Sequence, residues 1–532
     1  MNRRLDLSLE HGYTMIAVML VLLTTSLLAA ATFALVGGDI PFARASQDRK
    51  QAYAAAEAGV EYYLYQLARD NDYWTKCDQV EDPGDGQPSP VNLKNPGGSR
   101  TWRNVSGSTQ ARFSIEMLPS PTSPKPQCDP TMAEDTMLDK SSGTFRIRST
   151  GVSQGERRSI IATLRRTSFL DYLYFTDYEA SDPLTFPNAA DQSYAAENCV
   201  KYRIPRNQDS WCRDNTNITF QDWDAIYGPL HTNDDLLTCG SPIFGRDEPG
   251  KIDRIEIVGP AANGYTKGSG CTTGQPDFNG PVRQPAQYLP VPTSNDRLAD
   301  VADTNYVFEG QTVIRFNNTS TMSVTTYPNG VADTNSMPLP PNGVIYVETA
   351  PGAACTLDAP RQIDYDPVDS TNWRCPVLTV SGTYPKSMTL GSQGDILIDG
   401  DIKRSGDVVL GLVAQRFVRV KHDVSSTCGL NVGAMDNVTI EAAILALSDS
   451  FIVDNYPCGE PLQYLTVTGA IAQKFRGPVG TFTSTTKVRN HGYAKNYKYD
   501  DRLRYRSPPY FLDPVVAAWR VVRNNEQVRA AQ

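Results

Sequence analysis

Apolar residues fill positions 13–36, YTMIAVMLVLLTTSLLAAATFALV, without a single charge. As a helix this run spans ~36 Å, enough for a ~30 Å hydrocarbon core. Its Thr and Ser hydroxyls can bond back to helix carbonyls and are tolerated there. Gly37, Gly38 and Pro41 predict a short interruption where the chain can kink. Beyond it Ala52, Ala56, Gly59, Val60, Tyr63, Leu64 and Leu67 recur at helical spacing. The pattern predicts one long helix over 13–70, membrane-spanning at first (13–36) and amphipathic afterwards.

The period then changes. Residues 71–100 are polar and rich in Gly and Pro, as in a loop. TWRNV, ARFSIEML, GTFRIRSTGV and RRSIIATLRR follow as short strand-like runs, which predicts a small antiparallel sheet within a domain over 71–167. Residues 168–513 are turn-rich and nearly free of helical pattern. From Thr389 onward GDILIDGDI, VVLGLVAQRFVRVKH, VTIEAAILALSDSFIV and LTVTGAIAQKF succeed one another. LVAQRF at 412–417 resembles AIAQKF at 470–475, and alanine recurs at Ala414, Ala446 and Ala472. Units of this size predict a parallel β-helix or related solenoid at least from 389, with an irregular β-sandwich as the alternative. Residues 514–532 are expected to form a C-terminal helix, with Val515, Trp519 and Val522 capping the solenoid. The fold class is therefore α+β: a long N-terminal helix, a small antiparallel sheet, then a large β-rich domain.

Composition refines this picture. At 532 residues the chain is long enough for two or three domains. Its formal net charge of −9 disfavours general nucleic-acid binding, since phosphate would be repelled. The ten cysteines are Cys77, Cys128, Cys199, Cys212, Cys239, Cys271, Cys355, Cys375, Cys428 and Cys458. None forms a CxxC pair, so zinc is disfavoured and disulfides in an oxidising compartment are expected. Pairing between sequence neighbours, as in Cys199–Cys212 or Cys355–Cys375, is the simplest connectivity.

Catalytic patterns are sparse: no GxSxG, HExxH or P-loop occurs. His231, His422 and His491 are far apart, which gives a histidine triad no local support. His231 with Asp234 and Asp235 has the composition of a hydrolytic or metal site, but Asn233 and Asp234 favour an ordinary turn. Asp395, Asp399, Asp401 and Asp407 suit polysaccharide chemistry or Ca²⁺, and equally the turns between strands. No metal or other cofactor is expected. In residues 487–506, seven Lys or Arg stand against two Asp, interleaved with Tyr493, Tyr497, Tyr499 and Tyr505. Lys487, Arg489, Lys495, Lys498, Arg502 and Arg504 are thus candidates for a polyanion or glycan surface. The competing reading is a strap whose tyrosines pack inward while its charges face solvent.

The N-terminus carries a resemblance. MNRRLDLSLEHG, with Arg3 and Arg4 favouring a cytoplasmic start, ends in Gly12 directly before aromatic Tyr13. The apolar run then begins without a polar spacer, longer than a secretory signal peptide needs. DRKQAYAAAEAGVEYYL follows. These features resemble type IV prepilins, the last stretch being similar to the AFxAAEAG segment of PilX-type minor pilins and pseudopilins. The likeness covers about the first 70 residues, and more loosely the first 165. It implies a leader over 1–12, cleavage after Gly12 by a prepilin peptidase, and N-methylation of Tyr13. Other pilins and the membrane assembly platform are the implied partners. The implied location is the cytoplasmic membrane and then the pilus or cell surface. Most major pilins carry Glu at the fifth mature position, where it pairs with a neighbour's terminal amine. Ala17 stands there, which points to a minor, tip-proximal subunit rather than the repeating shaft. A surface adhesin and a membrane-tethered polysaccharide enzyme are the competing functions.

N-terminal sequencing of the membrane or filament fraction should begin at methylated Tyr13. A mature start near residue 32 would mark an ordinary secreted protein instead.

Overall fold

The computed structural model describes all residues except 1–10, 71, 81–84, 94–99, 109, 122, 140–143, 167, 200, 269–270, 272, 353–354, 358–359, 361–371, 434, 484–487, 505, 513–518 and 528–532. Two units emerge. One comprises residues up to 139, 144–165 and the C-terminal residues from 518; the other comprises 166–517.

Helix α1 runs unbroken over His11–Arg69. The interruption expected at Gly37, Gly38 and Pro41 is absent, because proline removes a single donor and the hydrogen-bonded ladder continues on either side. In its outer half Ala52, Ala56, Val60, Tyr63 and Leu67 are buried, as the helical spacing predicts. They pack on a six-stranded sheet. Its strands are β1 (Val91–Leu93), β2 (Arg103–Asn104), β3 (Ala111–Leu118), β4 (Thr144–Ser153), β5 (Glu156–Arg166) and β6 (Trp519–Glu526). Their order is β1-β3-β4-β5-β6, with β2 also on β3. The β2–β3, β3–β4 and β4–β5 pairs are antiparallel, as expected, while β1 lies parallel to β3. Helix and sheet approach closely at Gly151. A Cβ there would stand 2.0 Å from the Ala52 carbonyl oxygen.

Over Trp519–Glu526, strand β6 replaces the expected C-terminal helix, while Val515 lies outside the described residues. Trp519 does not cap the β-rich domain. It is buried against Phe145 (ring centroids 4.9 Å) and Trp74 (6.0 Å), with Tyr63 on the other side of Phe145 (6.0 Å). The β-branched residues of WRVV fit a pleated edge as well as a helix, and the open edge of β5 supplies the backbone partners that decide between them. The small domain is therefore discontinuous in sequence, with the large one inserted between β5 and β6.

The second unit is built on parallel ladders. One runs through Val307–Glu309, Val344–Glu348, Met388–Ser392, Leu410–Ala414, Ala443–Ala446 and Ile471–Phe475. It then continues, still parallel, into Tyr174–Tyr178, Leu230–Thr232, Ile255–Ile257 and Val282–Arg283. A second ladder links Thr312–Asn317, Val377–Tyr384, Asp395–Arg404, Val438–Ile440 and Leu465–Gly469. It goes on through Asn496–Tyr499, Ala225–Tyr227, Ile243–Phe244 and Asp277–Phe278. A short third ladder joins Phe220–Gln221, Leu236–Cys239 and Tyr265–Lys267. Parallel pairing thus lies on both sides of residue 389, from Tyr174–Tyr178 to Asn496–Tyr499.

The strand order is also rotated relative to the sequence. The chain enters beside Ile471–Phe475, builds outward to Arg283, then crosses and builds back from Val307. The crossing segment is held by side chains. Leu289 N donates to Asn233 (3.0 Å), Gln415 Nε2 to the Thr293 carbonyl (2.9 Å), and Asn295 Nδ2 to the Ser392 carbonyl (2.7 Å). The alanine repeat is met once: Ala414 faces Ala446, but Ala446 faces Gln473 and Ala472 faces Leu445.

Trp519→Ala should destabilise the small domain by about 3–5 kcal/mol, the range for emptying a buried aromatic site. Denaturant unfolding followed by near-UV circular dichroism would measure it. An effect below about 1 kcal/mol would mean that β6 is dispensable.

Candidate functional site

The first candidate lies on α1. Thr14–Thr32 has a mean hydropathy of 2.2, none of it is buried, and it is long and apolar enough to cross a membrane. Its polar side chains turn back onto the helix, with Thr24 Oγ1 donating to the Leu20 carbonyl (2.9 Å) and Thr25 Oγ1 to Val21 (2.8 Å). Such bonds leave an apolar exterior. Ala17 is exposed on this surface and offers no carboxylate. Gly12 and Tyr13 both lie within the helical span.

All ten cysteines are paired, each with its sequence neighbour: Cys77–Cys128, Cys199–Cys212, Cys239–Cys271, Cys355–Cys375 and Cys428–Cys458. Their Cα separations of 4.8–5.7 Å lie in the usual range for a bridge. Cys199–Cys212 closes the turn ahead of the short helix Ser210–Asn215, whose first turn is capped by Asp209.

His231 is fully buried, stacked on Phe175 with ring centroids 5.4 Å apart. Its Nδ1 lies 3.3 Å from Glu256 Oε2 and its Nε2 lies 3.1 Å from Asn233 Oδ1. Tyr172 donates to the same Glu256 oxygen at 2.5 Å. Burial acts to raise the Glu256 carboxyl, but the His231 hydrogen bond, Arg254 and Tyr172 together hold it down at about 2. Asp234 faces Arg206 and receives the Glu179 and Tyr202 amides, while Asp235 receives the Ala261 amide. Asn233, Asp234 and Asp235 are part of a buried network that binds backbone amides and side chains.

The other acids do not converge. Asp395 meets Arg419 (3.2 Å), Asp399 meets Arg315, Asp401 meets Lys403 (2.6 Å), and Asp407 meets Arg502 (3.0 Å). Among the described residues no group of three or more His, Cys, Asp or Glu is arranged to hold a metal. His422 bonds Asn431 (2.9 Å), and His491 bonds the Gly459 carbonyl.

The basic stretch is not a presented surface. Lys487 lies outside the described residues. Arg489 donates to the Leu462 carbonyl, Lys495 pairs with buried Asp224 (2.9 Å), and Arg502 with Asp500 (2.5 Å). Arg504 reaches Asp501 (3.6 Å), and Lys498 alone of the candidates is exposed. Tyr493, Tyr497 and Tyr499 are buried in the core. The strap reading therefore holds for Tyr493, Tyr497 and Tyr499, Tyr505 lying outside the described residues, whereas the charges of Lys495, Arg502 and Arg504 are matched by acids, Asp224 far away in sequence and Asp500 and Asp501 within the stretch itself.

Two features escaped the sequence reading. One is a set of buried carboxyls, Asp182 after strand Tyr174–Tyr178 and Asp449 and Asp454 on either side of strand Phe451–Val453. Ser450 donates to Asp182 at 2.9 Å. Burial raises all three; the neighbouring Asp182 raises Asp449 further, and Asp454 is pushed up to about 6 despite Arg419. The other is a groove between residues 217–224 and 478–482, with a volume of about 430 Å³ in its larger section and about 50 Å³ in its smaller one. A half-buried Trp223 stands edge-to-face with Phe482 (6.1 Å) in its wall.

No protein-family model and no curated protein matches the chain. Among solved structures, it is similar to the competence-associated pilin ComZ from Thermus thermophilus at 13% identity, over 91% of this chain and 98% of that one, with a TM-score of 0.31. An overlay that loose establishes neither fold nor function.

A carboxyl raised in the folded state binds more protons than when unfolded, so it takes stability away as pH rises from its unfolded pKa to its folded one. Stability of the large unit should therefore increase as pH falls from about 7 to about 5. Asp182→Asn should flatten that slope in thermal melts. An unchanged slope in Asp182→Asn and Asp454→Asn would show that other groups set it.

Proposed function

We propose that this chain is a non-enzymatic minor type IV pilin or pseudopilin of the PilX type, inserted in the membrane through 13–36 and assembled at or near a filament tip. Its large unit is read as a parallel β-helix that faces outward in assembly priming and surface recognition. The observation that carries the proposal is α1 itself. One helix begins as an exposed apolar rod and ends as an amphipathic stripe docked on a small sheet. That division suits a subunit that leaves the bilayer and packs among other apolar helices while its head stays in water.

Ala17 supports the tip position. In a shaft each terminal amine is buried among neighbours, and breaking a buried ion pair costs about 3–5 kcal/mol. Ala17 gives an adjacent subunit no carboxylate. The insertion between β5 and β6 adds bulk at every step of a close-packed filament. The five bridges suit an oxidising exterior. The non-enzymatic reading rests on His231 being held between Glu256 and Asn233 and on the aspartates being engaged one by one with backbone, guanidinium or ammonium groups.

Labelling of the protein on intact filaments should give signal at one end, at very low copy number. Regular labels along the shaft would overturn the reading. Ala17→Glu alone should leave the location unchanged, because the inserted unit remains.

A further inference from the structure

We infer that the groove between residues 217–224 and 478–482 binds a neutral oligosaccharide through Trp223 and Phe482. This deepens the proposed recognition role of the exterior unit and rests on it.

The groove is built rather than accidental. One wall is the helix Ser210–Asn215 and the segment after it, tied down by Cys199–Cys212 and by the Cys212 amide donating to Asp209 (3.0 Å). The other wall is Pro478–Phe482, leading into the hairpin of Gly480–Thr483 with Val488–Tyr499. The smaller section is lined as well by Arg489 and by the Lys495–Asp224 pair, whose charges meet each other at 2.9 Å. Two walls fixed by covalent and hydrogen-bonded anchors pay little ordering entropy on binding.

The lining chemistry selects the ligand class. Phe482 lines both sections of the groove and Trp223 the smaller one, and each is only half-buried. A pyranose offers an apolar C–H face to such a ring and hydroxyls around its rim. Thr219, Thr481 and Asn217 supply uncharged donors and acceptors along the walls. The charged side chains of the larger section are Arg213 and Asp214, bonded to each other at 2.8 Å, and their planar groups suit paired hydroxyls. Since these charges cancel, the section has no field to draw a polyanion, and the chain's net charge of −9 opposes one. The larger section, lined by Phe482, has a volume of about 430 Å³, within the range of small-ligand sites, and Trp223 lines the adjoining smaller section of about 50 Å³.

The test uses the full chain in a sugar-free zwitterionic detergent. Chitotetraose, cellotetraose and maltotetraose are titrated by calorimetry, with a heparin oligosaccharide and a short single-stranded DNA as polyanion arms. At least one neutral tetrasaccharide should bind saturably, with affinity unchanged by added salt. Trp223→Ala and Phe482→Ala should each weaken it about tenfold or more, the loss expected for an aromatic anchor. Leu430→Ser, exposed outside the groove, should bind as the parent does. Thr481→Arg, which fills the groove from its rim, serves should an alanine variant lose its native circular dichroism. Failure of all three sugars, undiminished binding by the folded variants, or binding of the polyanions alone with steep salt dependence would each overturn the inference. The filament-end labelling is independent of this outcome, so loss of sugar binding would leave the pilin reading standing.

Discussion

One stack of apolar side chains organises the large unit. Ile345, Leu390, Leu412, Ile444, Ile471, Tyr174, Leu230 and Ile255 occupy matching positions on successive parallel strands, and all are buried. Strands in such a ladder lie ~4.8 Å apart, so matched branched side chains bury one another continuously. The stack crosses from Ile471 to Tyr174, where residues nearly 300 positions apart become nearest neighbours. Closure entropy for so long a loop grows only as the logarithm of its length, which makes the join tolerable once the other strands are in place. It is also the site with most to lose from a register slip, since a shift by one residue would turn the apolar side outward.

The polar chemistry of the unit follows from that join. Glu179 and Arg476, Asp182 and Ser450, and Tyr174 and Gln473 meet there, brought from opposite ends of the inserted segment. A charge enclosed in this way needs a partner, because an isolated one is very costly. This explains why histidines and acids that suggest chemistry in the sequence are occupied with one another. It leaves apart the groove between residues 217–224 and 478–482, where aromatic rings and uncharged polar groups share a wall.

The small domain depends on a comparable long-range event. Its aromatic centre of Tyr63, Trp74 and Phe145 is completed by Trp519, which arrives only after the whole inserted unit. The domain cannot acquire its full core until the last strand is available.

Local period determined much of this protein. The uncharged run, the amphipathic stripe of α1, strands β3 to β5 and the strands from 395 to 475 are written in spacings of two or about four residues, which short-range geometry converts directly into structure. The disulfides followed the same logic, since each cysteine closes on its nearest neighbour along the chain. What the tertiary structure alone decided involves partners that no local period encodes. Ile471 beside Tyr174, Arg246 beside Asp501 across 255 residues, and Trp519 in a core built from residues 63–145 are examples. The basic stretch at 487–506 looked like a surface because Asp224 and Asp407, which meet Lys495, Arg502 and Arg506, are distant in sequence, and the segment after Pro514 looked helical because the open edge of β5 is equally distant. Burial then settled both, since a charge or an open strand edge enclosed away from water is stable only with the partner the fold delivers.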